Sequence, residues 1–239
     1  MNWNPTWICP ANDLGDPAAV FGTSFVFEKK ITHANLTITA MGVYEARLNG
    51  RRVGQFVMAP GWTSYHKRLQ YQKYDITDLL TNGKNEIEVT VGKGWYRSPL
   101  PGWLGCAYQD ELRSRPCGLA AQITLTFEDG SSKILSTDES WKVSDGPVRF
   151  SEIYDGEIYD SAKTPLLDQP VTIFDGPTDT LILQQGEEVC EQERLAVKKV
   201  FVTPNGETVL DFGQNMTGYV ELFVNAKAGD CVDLSFAEV

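Results

Sequence analysis

The chain has 239 residues, 42% of them hydrophobic and 11% aromatic. That is enough to bury a sizeable core in one large β-domain, or in one domain and part of a second. Lysine and arginine number 21 against 32 aspartates and glutamates, a formal net charge of −11, which makes the chain a poor partner for nucleic acid or an anionic membrane surface.

Residues 1–17 read as an N-terminal extension without strand periodicity. They have neither the basic end nor the apolar run of a signal peptide, which leaves export through a removed leader open, and no stretch of the chain is long and apolar enough to span a bilayer. Strand signals then run almost end to end. Phe21 to Lys29 is aromatic and β-branched. Leu36, Ile38 and Ala40 alternate with Thr37 and Thr39, the period-two pattern of a half-buried strand. Tyr44, Ala46 and Leu48 repeat it and lead into Asn49-Gly50, a hairpin signal. Leu69 to Tyr74 alternates again. Asp75 to Leu80 reads as one helical turn capped by Asp75 or Thr77, and Ile87, Val89 and Val91 form a clean strand. Residues 93–116 carry Trp95, Tyr96, Trp103 and Tyr108 among prolines and glycines with no period. A loop this long is functional or packed by its own side chains. Ala121, Ile123, Leu125 and Phe127 make another strand.

Composition shifts around 162–170, which predicts a domain boundary: a first sandwich over 18–163 and a second β-domain over 164–239. In the second, strands are expected at 197–202, 208–212, 218–224 and 231–236. The sequence stops at Ala237-Glu238-Val239 without a polar tail, so this domain is expected to be cut short. Acidic charge concentrates across the boundary: residues 150–193 hold eleven acids against one base, Lys163. This reads as a solvated surface, with a basic partner or calcium as the sharper alternative.

The cysteines are Cys9, Cys106, Cys117, Cys190 and Cys231. An odd number with no CxxC spacing points to free, mostly buried thiols and favours a reducing, cytoplasmic compartment. Cys106 and Cys117 are the pair best placed to bridge. Only His33 and His66 supplement them, neither near a cysteine, so no zinc site, other metal site or cofactor is implied.

Four segments together resemble the bacterial α-L-rhamnosidase family: 42–77 (GVYEARLNGRRVG, then APGWTSYHKRLQYQKYDIT), 92–97 (GKGWYR), 151–162 (SEIYDGEIYDSA) and 209–222 (VLDFGQNMTGYVEL). The resemblance covers about residue 20 to the end. It implies an all-β chain: a jelly-roll-like, galactose-binding-like β-sandwich followed by the start of a second, truncated β-domain. It also implies an inverting glycoside hydrolase whose general acid and base lie in a later (α/α)6 barrel. No paired amphipathic helices follow residue 163, so no catalytic residue is carried over. The barrel of the same parent chain is the implied partner, together with rhamnosyl glycosides or polysaccharide.

The candidate site residues follow from side-chain chemistry. Trp62, Trp95, Tyr96 and Trp103 sit at Pro/Gly breaks, where rings can stack on the CH-rich face of a sugar or else pin a turn. Asp155, Glu157 and Asp160 look like paired carboxylates, but the motif belongs to the family's accessory domain, and a structural loop or an interdomain contact is the simpler reading. Family modules can hold rhamnose through calcium on an acidic-amide pair before the strand leading to Asn-Gly. Here that stretch is Ala40-Met41-Gly42, which supplies no carboxylate. Asn49 reads as a turn residue. Asp211, Gln214 and Asn215 read as turn chemistry as well. The leading expectation is a non-catalytic rhamnosidase portion; the alternatives are a stand-alone, lectin-like carbohydrate-binding module and a hydrolase acting within this chain.

Overall fold

The computed structural model describes residues 3–100, 102, 105–227 and 229–236. The chain divides into two compact units, 1–190 and 191–239. In the first, the strands are β1 (Trp7–Pro10), β2 (Ala19–Phe27), β3 (Ile31–Ala40), β4 (Val43–Leu48), β5 (Arg51–Arg52), β6 (Leu69–Asp75) and β7 (Gly83–Gly92). Two helices follow, α1 (Gly94–Arg97) and α2 (Ala107–Ser114). Then come β8 (Leu119–Phe127), β9 (Ser132–Ser136), β10 (Lys142–Asp145), β11 (Val148–Glu152), β12 (Gly156–Tyr159), β13 (Gln169–Phe174) and β14 (Leu181–Leu183).

The strands form a β-sandwich. One layer runs β14-β6-β3-β8-β1-β13, with β9 also on β8, and the other runs β13-β10-β2-β7-β4-β5. Alternation places one side chain in two on the inner face. Leu36 and Ile38 from β3, Ile123 and Leu125 from β8, Val89 and Val91 from β7, and Ala46 and Leu48 from β4 all enter one apolar core. Fully burying each of the larger ones contributes about 1.5–3 kcal/mol. The short hairpin β11–β12 stands apart from both layers.

The outer face of β3 departs from the sequence reading. Thr37 and Thr39, expected on the solvent side, are buried, and Thr39 Oγ1 donates to the Gln70 carbonyl at 2.6 Å. A second apolar cluster covers this face: Trp7, Met41, Tyr65, Leu69, Tyr71, Tyr96, Leu112, Ala120 and Leu181. α2 supplies Leu112 to it; the helix went unseen in the 93–116 loop because eight residues carry little periodic signal.

Two domain expectations are corrected. Residues 1–17 are not a mere extension, because β1 pairs with β13 over Trp7↔Phe174 to Pro10↔Val171 and touches β8 at Ile8↔Leu119. The first unit also continues past 163 to Cys190, because β13 and β14 complete its sheets. Glutamine side chains strap down the segment after β14. Tyr44 Oη donates to Gln72 Oε1 at 2.7 Å, Gln72 Nε2 donates to Gln184 Oε1 at 2.8 Å, and the Gln185 amide donates to Gln70 Oε1 at 2.9 Å. Burial, followed by the Tyr74 hydroxyl 3.3 Å away, holds the Tyr44 phenol well above its ordinary pKa.

The second unit contains the hairpin β15 (Lys199–Val202) and β16 (Thr208–Asp211), in register from Lys199↔Asp211 to Val202↔Thr208. Residues 218–224 and 231–236, expected as strands, have no ladder among the described residues. Their alternation suits a strand, but a strand exists only where backbone groups find a neighbour.

Replacing Tyr44 by Phe leaves Gln72 Oε1 buried without its donor, which is expected to cost about 1–3 kcal/mol, read as a lower urea midpoint at unchanged m-value. The thiols give a second measurement. None of the five cysteines is in a disulfide, Cys231 is exposed, and burial, opposed by the neighbouring Arg97 guanidinium, pushes Cys117 up to about 11. Alkylation of the native chain at pH 8, mapped by mass spectrometry, is expected to modify Cys231 first and leave Cys9 and Cys117 until denaturation, when five are labelled.

Candidate functional site

Trp62 follows Pro60-Gly61 in the long connection between β5 and β6, and Trp95 is the second residue of α1. The two rings stack on each other, centroids 6.0 Å apart and planes within 7°. Trp62 is 52% exposed, while Trp95 is half-buried against the outer apolar cluster. Tyr65 and Tyr96 also meet, centroids 4.8 Å apart with their planes tilted by 47°, and both are buried. Tyr65 Oη donates to the Gly61 carbonyl at 3.1 Å, and Gln70 Nε2 donates to the Pro60 carbonyl at 3.3 Å, so the turn carrying Trp62 is held from beneath. From the other side, Gln109 on α2 donates to the Ser98 and Trp95 carbonyls at 3.2 and 3.4 Å. The result is a supported aromatic pair in which the Trp62 ring is half open to solvent.

Sequence grouped four aromatics, and the structure sorts them. Trp62 and Trp95 come together at the surface. Tyr96 is only 2% exposed, so it is a packing residue of the outer cluster and not a stacking platform. Trp103 lies outside the described residues.

The turn before β4 explains the altered chemistry there. Met41 is buried in the outer cluster, and a Cβ on Gly42 would stand 2.1 Å from the Gly92 carbonyl oxygen. Gly94, at φ +54°, presses against Val43 so closely that a Cβ would meet its Cγ1 at 2.5 Å. This corner is therefore filled by packing, with an apolar thioether where an oxygen ligand for calcium would be needed. Among the described residues, no three His, Cys, Asp or Glu side chains gather as a metal site requires.

The acidic candidates do not converge. Asp155 lies in the β11–β12 turn, Glu157 pairs across to Ser151, and both are exposed. Asp160 caps its own turn by accepting from the Ala162 amide at 3.0 Å. Glu152 is the one carboxylate of the segment that is drawn in: its side chain is 8% exposed and accepts from Lys93 Nζ at 2.6 Å. Lys93 also meets Asp16 at 3.1 Å; burial alone would lower its pKa, but these two bonds raise it. The sequence offered one pointer to this cluster, the i,i+4 spacing of Lys93 and Arg97, legible only if GKGWYR is read as a helical turn. Asn49 is structural: at φ 53° it donates to the Leu79 carbonyl and Asn85 Oδ1 and accepts from the Glu86 amide. In the second unit, Asp211 accepts from the Gly213 amide at 2.7 Å, a turn bond as expected.

Comparison with known proteins places this architecture. The α-L-rhamnosidase N-terminal domain family matches residues 29–193. The chain belongs to that family. Residues 201–239 match the bacterial α-L-rhamnosidase concanavalin-like domain. An α-L-rhamnosidase of Streptomyces avermitilis is 37% identical over 222 residues, covering 88% of this chain and 21% of the relative. One from Formosa agariphila is 33% identical over 227 residues, covering 90% and 24%. Among solved structures, native α-L-rhamnosidase from Aspergillus terreus aligns with a TM-score of 0.80 at 37% identity, covering 89% of this chain and 26% of that one. The Streptomyces avermitilis enzyme complexed with L-rhamnose aligns with a TM-score of 0.73 at 33% identity, covering 84% and 20%. The chain thus spans only about a fifth to a quarter of the length of these rhamnosidases. No helix among the described residues is long and apolar enough to cross a membrane, which says nothing of β-barrels.

Truncation separates support from surface in this rhamnosidase-family domain. Tyr96→Ala is expected to destabilise by about 3–5 kcal/mol, the range for a buried aromatic. Trp62→Ala is expected to cost about 1 kcal/mol, the worth of one exposed aromatic pairing. Thermal unfolding of the two variants beside the parent checks the contrast.

Proposed function

We propose that this chain is the N-terminal, non-catalytic portion of an α-L-rhamnosidase, an enzyme that hydrolyses terminal α-L-rhamnose from glycosides. The observation that carries the reading is the match of residues 29–193 to the N-terminal domain of that family, on relatives several times longer. In this reading the sandwich packs against a catalytic (α/α)6 domain of the same parent chain and helps orient it. Residues 201–239 begin the following β-domain, which suits the exposed apolar side chains of Val200, Val202, Phe223 and Phe236 within the second unit. The hairpin acids Asp155 and Glu157 are both exposed to solvent.

The same reading gives Trp62, with Trp95 behind it, a role in contacting rhamnosyl glycosides. A ring fixed by stacking loses little freedom when a sugar covers its open face. Contact by one exposed ring predicts weak binding. The lectin-like alternative differs in one respect, that binding would be the whole function of the chain.

Two assays test the proposal. The purified chain is expected to show no turnover of a chromogenic α-L-rhamnoside. Turnover that follows the protein through purification and disappears in Asp155→Asn or Glu157→Gln would overturn the non-catalytic assignment. L-rhamnose is expected to quench tryptophan fluorescence with a millimolar Kd, and Trp62→Ala to lose that response while keeping its melting temperature within a few degrees.

A further inference from the structure

A cleft distinct from the aromatic pair opens at one end of the first sandwich. It encloses about 320 Å³ between the 10–19 segment that links β1 to β2, the 91–97 segment and residues 114–117. That is the low end of ligand-pocket volumes, room for roughly one sugar ring. α1 separates the two surfaces. Lys93 and Arg97 are one turn apart, the Arg97 amide donating to the Lys93 carbonyl at 3.1 Å, so both project into the cleft. Trp95, two residues earlier than Arg97, is about 200° away around the helix at 3.6 residues per turn, and stacks on Trp62 instead.

Three cations line the cleft, and two are already neutralised. Lys93 is held by Glu152 and Asp16, and Arg115 by Glu111 at 2.7 Å. Arg97 has no carboxylate within ion-pair distance among the described residues, and its Nε is buried with no hydrogen-bond partner. The group beside it is the Cys117 thiol, which stays protonated and is a poor acceptor for a guanidinium. The Arg97 side chain nevertheless lines the cleft, where its guanidinium has no carboxylate to neutralise it and can receive one from a ligand.

We propose that this cleft is a second ligand site, in which Arg97 binds the carboxylate of a uronic-acid sugar while Asn12, Ser114 and Ser151 on the walls meet ring hydroxyls. A guanidinium fork matches a carboxylate through two parallel N–H···O bonds, which a neutral hydroxyl cannot reproduce. Asp13, the remaining wall acid, is turned to its own loop, accepting from the Gly15 amide at 2.9 Å. The chain's net charge of −11 does not oppose this, since eleven of its acids lie in 150–193 and the charge felt at about 4 Å is that of Arg97 itself. The carboxylate part of the assignment stands on Arg97; the sugar part rests on the carbohydrate reading above.

The test is an NMR titration of the full 239-residue chain, labelled with ¹⁵N-arginine, with sodium D-glucuronate at constant ionic strength. The Arg97 Nε–Hε cross-peak, assigned by its loss in Arg97→Met, is expected to move saturably with a millimolar Kd. D-glucose is expected to leave it in place, and sodium acetate and sodium sulfate to bind about tenfold more weakly or worse. Arg97→Lys is expected to weaken glucuronate about fivefold or more, because a point charge loses the fork. No saturable shift with glucuronate would overturn the site. Acetate or sulfate binding as tightly would overturn the uronic-acid assignment in favour of a general anion pocket. If Arg97→Met fails to fold, the parent titration and Arg97→Lys still decide. Rhamnose quenching at Trp62 is read separately by fluorescence, so failure of either site leaves the other standing.

Discussion

Everything in the first unit hangs on one strand that serves both sheets. Gln169 and Pro170 of β13 pair with β10 in one layer, and the next residues, Val171 to Phe174, pair with β1 in the other. Backbone donors and acceptors buried in a sandwich must be matched, and at this corner a single strand matches both sides. The layers are therefore fixed relative to each other by covalent continuity as well as by the apolar core between them. The corner is reinforced by Trp7, whose indole N–H donates to the Pro177 carbonyl at 2.9 Å and whose ring packs on Phe174 at 6.1 Å. Because β1 lies in one layer and β2 in the other, the segment joining them must cross the end of the sandwich. That crossing forms one wall of the cleft containing Arg97.

The outer apolar cluster is the second level of the design. An antiparallel sheet normally leaves one face to water. Here Leu69, Tyr71 and Ala120 on that face are covered by Tyr65, Tyr96 and Leu112, contributed by a long loop and the two short helices. Covering the sheet anchors those segments, and the anchoring holds Trp62 and Trp95 face to face. A surface ring on an unsupported loop would lose its orientation to chain entropy. The buried tyrosine pair beneath removes that freedom in advance.

Charge is arranged by pairing more than by sum. The cations near α1 each face a carboxylate, Lys93 with Glu152 and Asp16, and Arg115 with Glu111, except Arg97, whose neighbour is the Cys117 thiol. Glu152 comes from the acidic 150–193 stretch, so that stretch is not wholly a solvated surface: one of its carboxylates is folded inward to hold the loop that carries α1. The bulk charge of the chain is thus a poor guide to the potential within a partly buried cleft, where the nearest unpaired group dominates.

Much of the sandwich was legible along the chain. The alternation of Leu36, Ile38 and Ala40, of Ala121, Ile123 and Leu125, and of Ile87, Val89 and Val91 named the inner face, since a period of two is a property of the strand alone. Asn49-Gly50 named its turn for the same local reason. The placement of Trp62, Trp95, Tyr96 and Trp103 at Pro/Gly breaks grouped the four as candidates without separating them, and only the fold shows that Tyr96 is core. The features that sequence did not reveal depend on contacts between distant residues. The four residues of β1 carry no period, the burial of Thr37 and Thr39 goes with covering groups from Tyr65, Tyr96 and Leu112 farther along the chain, and the extension of the first unit to Cys190 depends on glutamines meeting Tyr44 and Gln72. Local pattern determines which way a side chain points along its own strand; only the folded sheet decides what covers it, because the covering group arrives from elsewhere in the chain.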